Sequence, residues 1–187
     1  MFIQTEATPN PQTLKFLPGK VVLEDGTADF RSAEEAAASP LADQLFGIRG
    51  VTGVFFGYDF VTVSKDGADW AHLKPAILGA IMEHYRSGAP IMGSAHDQDG
   101  IDAQGEFFEP GDESLVATIK ELLDTRVRPA VAQDGGDITF KGYRDGTVFL
   151  NMKGSCAGCP SSTATLKHGV QNLLHHFIPE VRDVEAV

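Results

Sequence analysis

The stretch ITFKGYRDGTVFLNMKGSCAGCP, residues 138–160, combines a predicted β-hairpin with the only two cysteines of the chain. Apolar and polar residues alternate on both sides of Asp145–Gly146, a dipeptide that is frequent in tight hairpin turns. The second strand runs into Cys156 and Cys159. Pro160 follows, and proline suits the first position of a helix because that position needs no backbone N–H. The pattern therefore predicts a CxxC motif between a strand and a helix.

The segments around this hairpin predict a small domain of order α-β-β-α-β over residues 113–187. Asp112 is expected to cap the first helix, and the second helix stops before Pro179. Residues 180–187 predict a final short strand. Apolar residues recur at helical spacing in both helices: Leu115, Val116, Ile119, Leu122, Leu123 and Val127 in the first, and Leu166, Val170, Leu173, Leu174 and Phe177 in the second.

Residues 1–87 predict a second small α/β domain. Strands are expected at 2–6, 13–18 and 20–24, a hairpin at 51–57 and 60–65, and helices at 32–39, from Pro40 onward, and at 70–86. Ser32 is a suitable cap for the first of these helices. The apolar stripe of the last helix, which includes Leu73 and Ile77, is interpreted as core. The predicted fold class is therefore α+β, with two small domains.

Residues 88–112 predict an acidic, flexible linker, because this stretch is rich in Gly, Asp and Ala and has no sustained periodicity. No Lys or Arg occurs between Arg86 and Lys120. The pair Phe107–Phe108 is unusual in such a segment. We expect it to pack back onto a domain rather than to serve as a docking spot.

Charge and hydropathy exclude several classes of function. The net charge of −11 argues against binding to nucleic acid or to an anionic membrane surface. No apolar run is long enough to span a membrane, and the first residues do not resemble a secretory signal. We expect a cytoplasmic protein, or one of the mitochondrial matrix if it is a processed organellar form. In such reducing compartments a CxxC pair is more often metal-binding or redox-active than a structural disulfide.

The local sequence favours a reactive or ligating pair. We expect Cys159 at or near the helix N-cap, facing the free N–H groups of Ser161 and Ser162, where the helix dipole lowers a thiol pKa. Gly154 and Gly158 allow the backbone to approach a bound group closely. An inert buried pair, a dithiol oxidoreductase, a zinc site and an iron–sulfur site all remain open at this point, with metal or cluster ligation favoured.

The number of ligands constrains the metal interpretation. Structural zinc has four ligands, and an iron–sulfur cluster typically has four cysteines. His168 is expected more than about 13 Å along the helix from the sulfurs, at 1.5 Å per residue. The remaining histidines have no ligand-like spacing: His72, His84, His96, His175 and His176. Two chains related by a two-fold axis would supply two thiolates each, at a partly exposed interface site that releases its cargo easily.

The aspartates of the segment DGGD, residues 134–137, are also possible metal ligands by residue type. We interpret Asp134 and Asp137 instead as part of a turn that sets the hairpin beside the cysteine loop.

The sequence resembles a known family over nearly its whole length outside the linker. The segments VRPAVAQDGGDITF and GTVFLNMKGSCAGCPSSTATLKHGVQNLL resemble the C-terminal domain of NifU-like iron–sulfur scaffold proteins. The segments TPNPQTLKF and SPLADQLFGIRGVTGVFFGYDFVTVSK resemble the N-terminal domain of the Nfu-type members. The CxxCP motif and the upstream DGGD segment are the most specific of these marks.

The resemblance implies a 4Fe–4S cluster held between two protomers by Cys156 and Cys159, with a 2Fe–2S form also conceivable. It implies a non-enzymatic scaffold or carrier that passes the cluster to apo-proteins, with no catalytic residues. The first domain is expected to dock recipients or other assembly proteins. A dithiol redox protein and a zinc-bridged dimer remain the alternatives.

Overall fold

The computed structural model describes residues 1–93, 105–157 and 160–187, apart from the side chains of residues 160–162. Contacts divide the chain into two compact units, Met1–Asp97 and Gln98–Val187. Each unit combines helices with its own sheet and has its own apolar core. The predicted α+β class is therefore confirmed.

The N-terminal unit contains a five-stranded antiparallel sheet of order β1-β2-β5-β4-β3. Three helices accompany the sheet, and the core includes Phe16, Leu41, Phe56 and Ile77. The elements are β1 (Gln4–Ala7), β2 (Thr13–Leu17), β3 (Ala28–Phe30), α1 (Ala33–Ala36), α2 (Pro40–Phe46), β4 (Val51–Phe56), β5 (Val61–Lys65) and α3 (Trp70–Ser87).

Short polar side chains begin all three helices of this unit. The Ser32 hydroxyl accepts the N–H of Glu35, and the Ser39 hydroxyl accepts the N–H of Ala42. The predicted Ser32 cap is thus confirmed. Each bond pairs one of the N–H groups that a helix start leaves without an intrahelical partner.

One predicted strand of this unit is wrong. Residues 20–24 form no strand, because the N–H groups of Val22 and Leu23 both donate to the Tyr58 carbonyl in the turn between β4 and β5. Val22 is nevertheless buried, which explains its apolar character. On the side away from β5, strand β4 pairs with β3, which the sequence analysis did not predict and which has only three residues.

The C-terminal unit has the predicted order α-β-β-α-β, with a sheet of order β6-β7-β8. Strands β6 and β7 are antiparallel, whereas β7 and β8 are parallel and α6 connects them. The elements are α4 (Glu113–Leu122), a π-helical turn (Leu123–Val127), α5 (Arg128–Gln133), β6 (Gly136–Arg144), β7 (Thr147–Gly154), α6 (Pro160–Phe177) and β8 (Asp183–Ala186).

The first helical segment of this unit departs from the prediction at both ends. Asp112 ends a 3₁₀ turn (Pro110–Asp112), and its side chain makes no capping hydrogen bond. At the other end the helix continues to Gln133 through the π-helical turn. Pro129 explains the irregularity, because proline lacks the N–H that would continue the regular bonding pattern.

The hairpin between β6 and β7 turns at the predicted dipeptide. Asp145 and Gly146 have φ of 51° and 83°, as a type I′ turn requires at both central positions. The Gly146 carbonyl also accepts the N–H groups of Arg182, at 2.7 Å, and of Asp183, at 3.2 Å. The turn therefore also fixes the start of β8.

The described ends of the predicted linker pack onto folded structure. The N–H of Gly93 donates to the Ala38 carbonyl at 2.8 Å. Phe107 lies beside β6, as expected, whereas Phe108 is 37% exposed. The middle of the linker, with His96, lies outside the described residues. Among the helices that are described, none has the length and apolar character needed to cross a membrane.

Candidate functional site

Cys156 lies at the end of strand β7, two residues past Gly154, and helix α6 begins at Pro160. The predicted position of the motif between a strand and a helix is thus confirmed. Gly154 has a φ of 65°, so the chain leaves the strand through a backbone conformation that glycine adopts without strain. Gly158 and Cys159 lie outside the described residues, as do the side chains of Ser161 and Ser162. The predicted cap geometry at Cys159 stays a prediction.

The Cys156 side chain is buried rather than partly exposed as the sequence analysis expected. The residue is 6% exposed and belongs to the apolar core of the C-terminal unit. The expectation concerned a site shared by two chains at their interface. In the structure the DGGD segment, residues 134–137, lies against this loop and covers Cys156.

Hydrogen bonds join the DGGD segment to the cysteine loop. The Ser155 hydroxyl donates to the Asp134 carbonyl, and the Ser155 N–H donates to the Gly135 carbonyl at 3.3 Å. Gly135 itself has a φ of 80°, which a side chain would strain. The segment is thus a turn whose carbonyls face the loop, in agreement with the turn interpretation.

A close approach between Gly136 and Cys156 completes this contact. A β-carbon at position 136 would lie 2.8 Å from the Cys156 sulfur and 2.7 Å from the Lys153 carbonyl oxygen. Both distances are shorter than van der Waals contact allows, so residue 136 must be glycine for the sulfur to occupy this position. Gly136 pairs directly with Gly154 across the hairpin.

Helix α6 holds the loop from its other side. The Thr163 hydroxyl donates to the Cys156 carbonyl at 3.0 Å. Because Thr163 lies in the first turn of α6, this bond ties the helix start to the residue that carries the sulfur. The sequence analysis did not identify Thr163, since no local spacing shows where its hydroxyl will point.

Arg128 is a second residue of the site that the sequence analysis missed. Its Nε and Nη2 each lie 2.9 Å from one oxygen of the Asp137 carboxylate, which is a two-point ion pair. Its Nη1 also donates to Asp124 at 2.9 Å. Asp137 is 4% exposed and also accepts the N–H of Ile138. Asp137 therefore anchors the DGGD segment to α5, and this ion pair explains its burial.

The surroundings of Cys156 favour the neutral thiol. The pKa of the Cys156 thiol is raised to about 11, with burial as the largest cause; the nearby carboxylates of Asp134 and Asp137 also raise this pKa, while a hydrogen bond with Ser155 lowers it. The lowered thiol pKa that the sequence analysis expected at the helix start concerns Cys159, which lies outside the described residues, so it stays a prediction. At Cys156, the loss of water contact outweighs the other effects on the thiol pKa.

The described histidines do not join Cys156. His168 is exposed on α6, and the His175 ring donates from Nδ1 to the Val181 carbonyl at 2.7 Å. His84 is buried in the N-terminal unit. Within the part of the chain that the structure describes, no three His, Cys, Asp or Glu side chains come together as a metal site.

Comparison with known proteins gives matches to both units. The N-terminal domain of Nfu/NifU scaffold proteins matches residues 3–88, and the NifU-like domain matches residues 119–185. The chain is 54% identical over 189 residues to the mitochondrial NFU1 iron-sulfur cluster scaffold homolog of Drosophila sechellia, and 52% identical to the human protein of that name. All of this chain is covered in both cases. It spans 65% of the length of the Drosophila relative and 72% of the human one.

A solved structure, a NifU-like protein from Saccharomyces cerevisiae, is 28% identical. It matches with a TM-score of 0.46, over 50% of this chain and 86% of that chain.

Proposed function

The chain belongs to the Nfu family of iron–sulfur cluster scaffold proteins, and on that premise we propose that two copies share one cluster through Cys156 and Cys159 and pass it to apo-proteins. The cluster is cargo rather than a resident cofactor. The protein acts by holding and releasing it, without a catalytic step of its own.

The count of cysteines is the observation that carries this proposal. The chain has two cysteines, in one CxxC motif, and four thiolates are the usual ligand set of a cluster. Two chains related by a two-fold axis complete that set, with the same residues contributed by each. We propose a 4Fe–4S cluster as the main cargo, with 2Fe–2S as a further form.

The chemistry around Cys156 suits a ligand that binds and releases iron. A bare thiolate is disfavoured there, since Asp134 and Asp137 act against its negative charge. An iron cation removes that penalty, because it replaces the thiol proton and is attracted by the same carboxylates. Thiolates of a recipient protein would then replace Cys156 and Cys159 by ligand exchange, each chain recovering its thiols as the cluster leaves.

The two units divide the work in this proposal. Residues 113–187 form the cluster domain, residues 1–87 form a domain that docks recipient or assembly proteins, and residues 88–112 link them. The family matches at 3–88 and 119–185 support this division. The relatives named above are mitochondrial by name, which supports the mitochondrial matrix as the place of action.

Anaerobic reconstitution with iron and sulfide tests the proposal. We expect a brown protein with broad visible absorbance, one cluster per two chains by iron and sulfide analysis, and a larger size in gel filtration than the iron-free protein. Size and iron content should rise together, because the cluster supplies bonds across the axis. A cluster-loaded monomer would contradict the shared site.

Single-cysteine variants identify the ligands. Cys156→Ala and Cys159→Ala should each abolish iron retention, because either change leaves a dimer with two thiolates. His168→Ala is the matched control on α6 and should retain the full cluster. A colourless zinc-bound dimer, or a metal-free protein with a reversible Cys156–Cys159 disulfide, would favour the alternatives instead. Transfer to an apo-protein, followed by its gain of activity, tests the carrier role.

A further inference from the structure

The hollow that receives the Cys156 sulfur exists because residue 136 has no side chain. A β-carbon there would lie 2.8 Å from the sulfur, 2.7 Å from the Lys153 carbonyl oxygen and 3.2 Å from the Cys156 amide nitrogen. Two of these distances are below 3.0 Å, a separation that real β-carbons essentially never show. We call this hollow, formed by Gly136 and the Lys153 carbonyl, the sulfur seat.

The backbone at Gly136 does not itself require glycine. Its neighbour Gly135 has a φ of 80°, in the region that side chains avoid, whereas Gly136 is not among the residues with positive φ. The requirement at position 136 therefore comes from the approach of the sulfur. This distinguishes Gly136 from glycines that only shape a turn.

Three further hydrogen bonds, from two residues, keep the sulfur in this position. Ser155 binds the Asp134 and Gly135 carbonyls, and Thr163 binds the Cys156 carbonyl from α6. The cysteine loop is thus held at Ser155 and at the Cys156 carbonyl. With Cys156 at 6% exposure, this closed arrangement leaves the sulfur little access to a second copy of the chain.

We propose that Gly136 is a positioning residue whose sulfur seat keeps Cys156 closed in the unloaded protein, so that the loop must open before Cys156 can hold cargo. This inference rests on the proposed function, in which Cys156 is a cargo ligand. The inference adds a step to that function. The Cys156 thiol is shielded from solvent until the loop moves it out of the sulfur seat. A side chain at position 136 fills the seat and expels the sulfur.

The rate at which iodoacetamide alkylates Cys156 in the iron-free, full-length protein tests the proposal. Gly136→Ala should raise that rate at least about tenfold, equivalent to about 1.4 kcal/mol in the opening equilibrium. Gly169→Ala is the matched control, because a β-carbon at Gly169 on α6 meets nothing within 4 Å. That variant should react at the rate of the original chain.

Cys159 serves as an internal reference, with fragmentation mass spectrometry assigning the label to each cysteine. General loosening of the unit would accelerate both cysteines, whereas loss of the seat accelerates Cys156 relative to Cys159. The proposal is overturned if folded Gly136→Ala protein alkylates Cys156 at the original rate, or if both cysteines accelerate equally. Far-UV circular dichroism establishes that the variant is folded.

Thr163→Val provides a second test that does not depend on the folding of Gly136→Ala. It removes the hydroxyl bond to the Cys156 carbonyl but nearly preserves side-chain shape, so a smaller acceleration, about threefold, is expected for Cys156 alone. No acceleration would count against the closed loop.

The visible circular dichroism of reconstituted Gly136→Ala supplies a spectroscopic readout of positioning. We expect the spectrum of the original chain, because Cys156 has left the seat once it holds cargo; an altered spectrum would contradict a positioning role confined to the unloaded protein. If the original chain takes up no iron, the proposed function fails. The alkylation rates still decide whether the sulfur seat exists.

Discussion

The Arg128 side chain joins α5 to the DGGD segment that covers Cys156. Its partner Asp137 has a side chain that is 5% exposed, so Arg128→Met would remove the guanidinium that pairs with a buried carboxylate. We expect a loss of about 2–3 kcal/mol in unfolding free energy, below the roughly 3–5 kcal/mol of fully buried pairs, because solvent reaches Arg128. Urea unfolding followed by far-UV circular dichroism measures this loss.

The matched control for Arg128 removes its more exposed partner. Asp124 has a side chain that is 60% exposed, so Asp124→Asn should cost only about 0.3–0.5 kcal/mol. Neither variant should change unfolding of the N-terminal unit, which the fluorescence of Trp70, the only tryptophan, reports separately. Equal costs for the two variants would mean that the ion pair to Asp137 does not anchor the segment.

His84 gives the N-terminal unit a dependence on pH. It is 3% exposed, its Nε2 has no hydrogen-bond partner among the described residues, and burial lowers its pKa below 6.5. The unfolded chain therefore binds a proton before the folded one does as pH falls. The free energy of unfolding therefore decreases as the pH falls below about 6.5, by at most about 1.4 kcal/mol per pH unit.

The variant His84→Leu removes this titration and the unpaired nitrogen together. Trp70 fluorescence during urea unfolding at pH 7.5 and at pH 5.5 should show a smaller difference in stability for the variant than for the original chain. An unchanged difference would assign the pH dependence to other groups.

At the scale of elements, the last part of the predicted linker, at Phe107, extends the edge of β6. The Phe107 N–H donates to the Lys141 carbonyl, the Tyr143 N–H donates to the Phe107 carbonyl, and the Phe107 ring lies over Gly142 and 5.1 Å from the Phe149 ring. Phe107→Ala should therefore destabilise the C-terminal unit by about 1–2 kcal/mol, as expected for a partly buried aromatic side chain.

Phe108→Ala is the natural comparison, since Phe108 is adjacent but more exposed. Its cost should stay below about 0.5 kcal/mol. Urea unfolding by circular dichroism distinguishes the two variants. If Phe108→Ala costs as much as Phe107→Ala, the packing of Phe107 on Gly142 does not stabilise this edge.

The elements also show where local patterns succeed. The hairpin between β6 and β7 could be predicted because Asp145–Gly146 is intrinsically suited to its turn and the strands alternate regularly. Strand β3 could not be predicted, because three residues are too few to show the alternation of apolar and polar residues that indicates a strand. The π-helical turn was missed because its cause, the proline at position 129, lies beyond the turn itself.

For the whole molecule, two separate cores predict two separate responses to iron. Loading should stabilise the C-terminal unit, by about 2.7 kcal/mol when free cargo is at a hundredfold excess over its dissociation constant. Trp70 lies in the N-terminal unit, so the unfolding transition that its fluorescence reports should be the same in loaded and iron-free protein. Anaerobic unfolding of loaded and iron-free protein, followed by circular dichroism and by Trp70 fluorescence, compares the two units.

In Cys156→Ala, iron should stabilise neither unit under the same conditions, so both unfolding transitions should stay at their iron-free positions. A shift of the Trp70 transition equal to that of the C-terminal unit would mean that the two units unfold together. Removal of iron with a chelator should return the C-terminal transition to its iron-free position.

The sequence by itself determined the class of the fold, the α-β-β-α-β order, the hairpin turn and the place of the CxxC motif before a helix. Each of these depends on residues that are close in the chain, whose periodicity and turn chemistry act locally. The count of two cysteines likewise follows from composition alone.

Only the tertiary structure decided the burial of Cys156, the Arg128–Asp137 ion pair and the need for glycine at position 136. The reason is physical: each depends on atoms that are distant in sequence and meet only when β6, β7 and α5 pack together. Burial then outweighs local electrostatics in setting the pKa of Cys156. No spacing within the motif could show that the thiol lies under the DGGD segment.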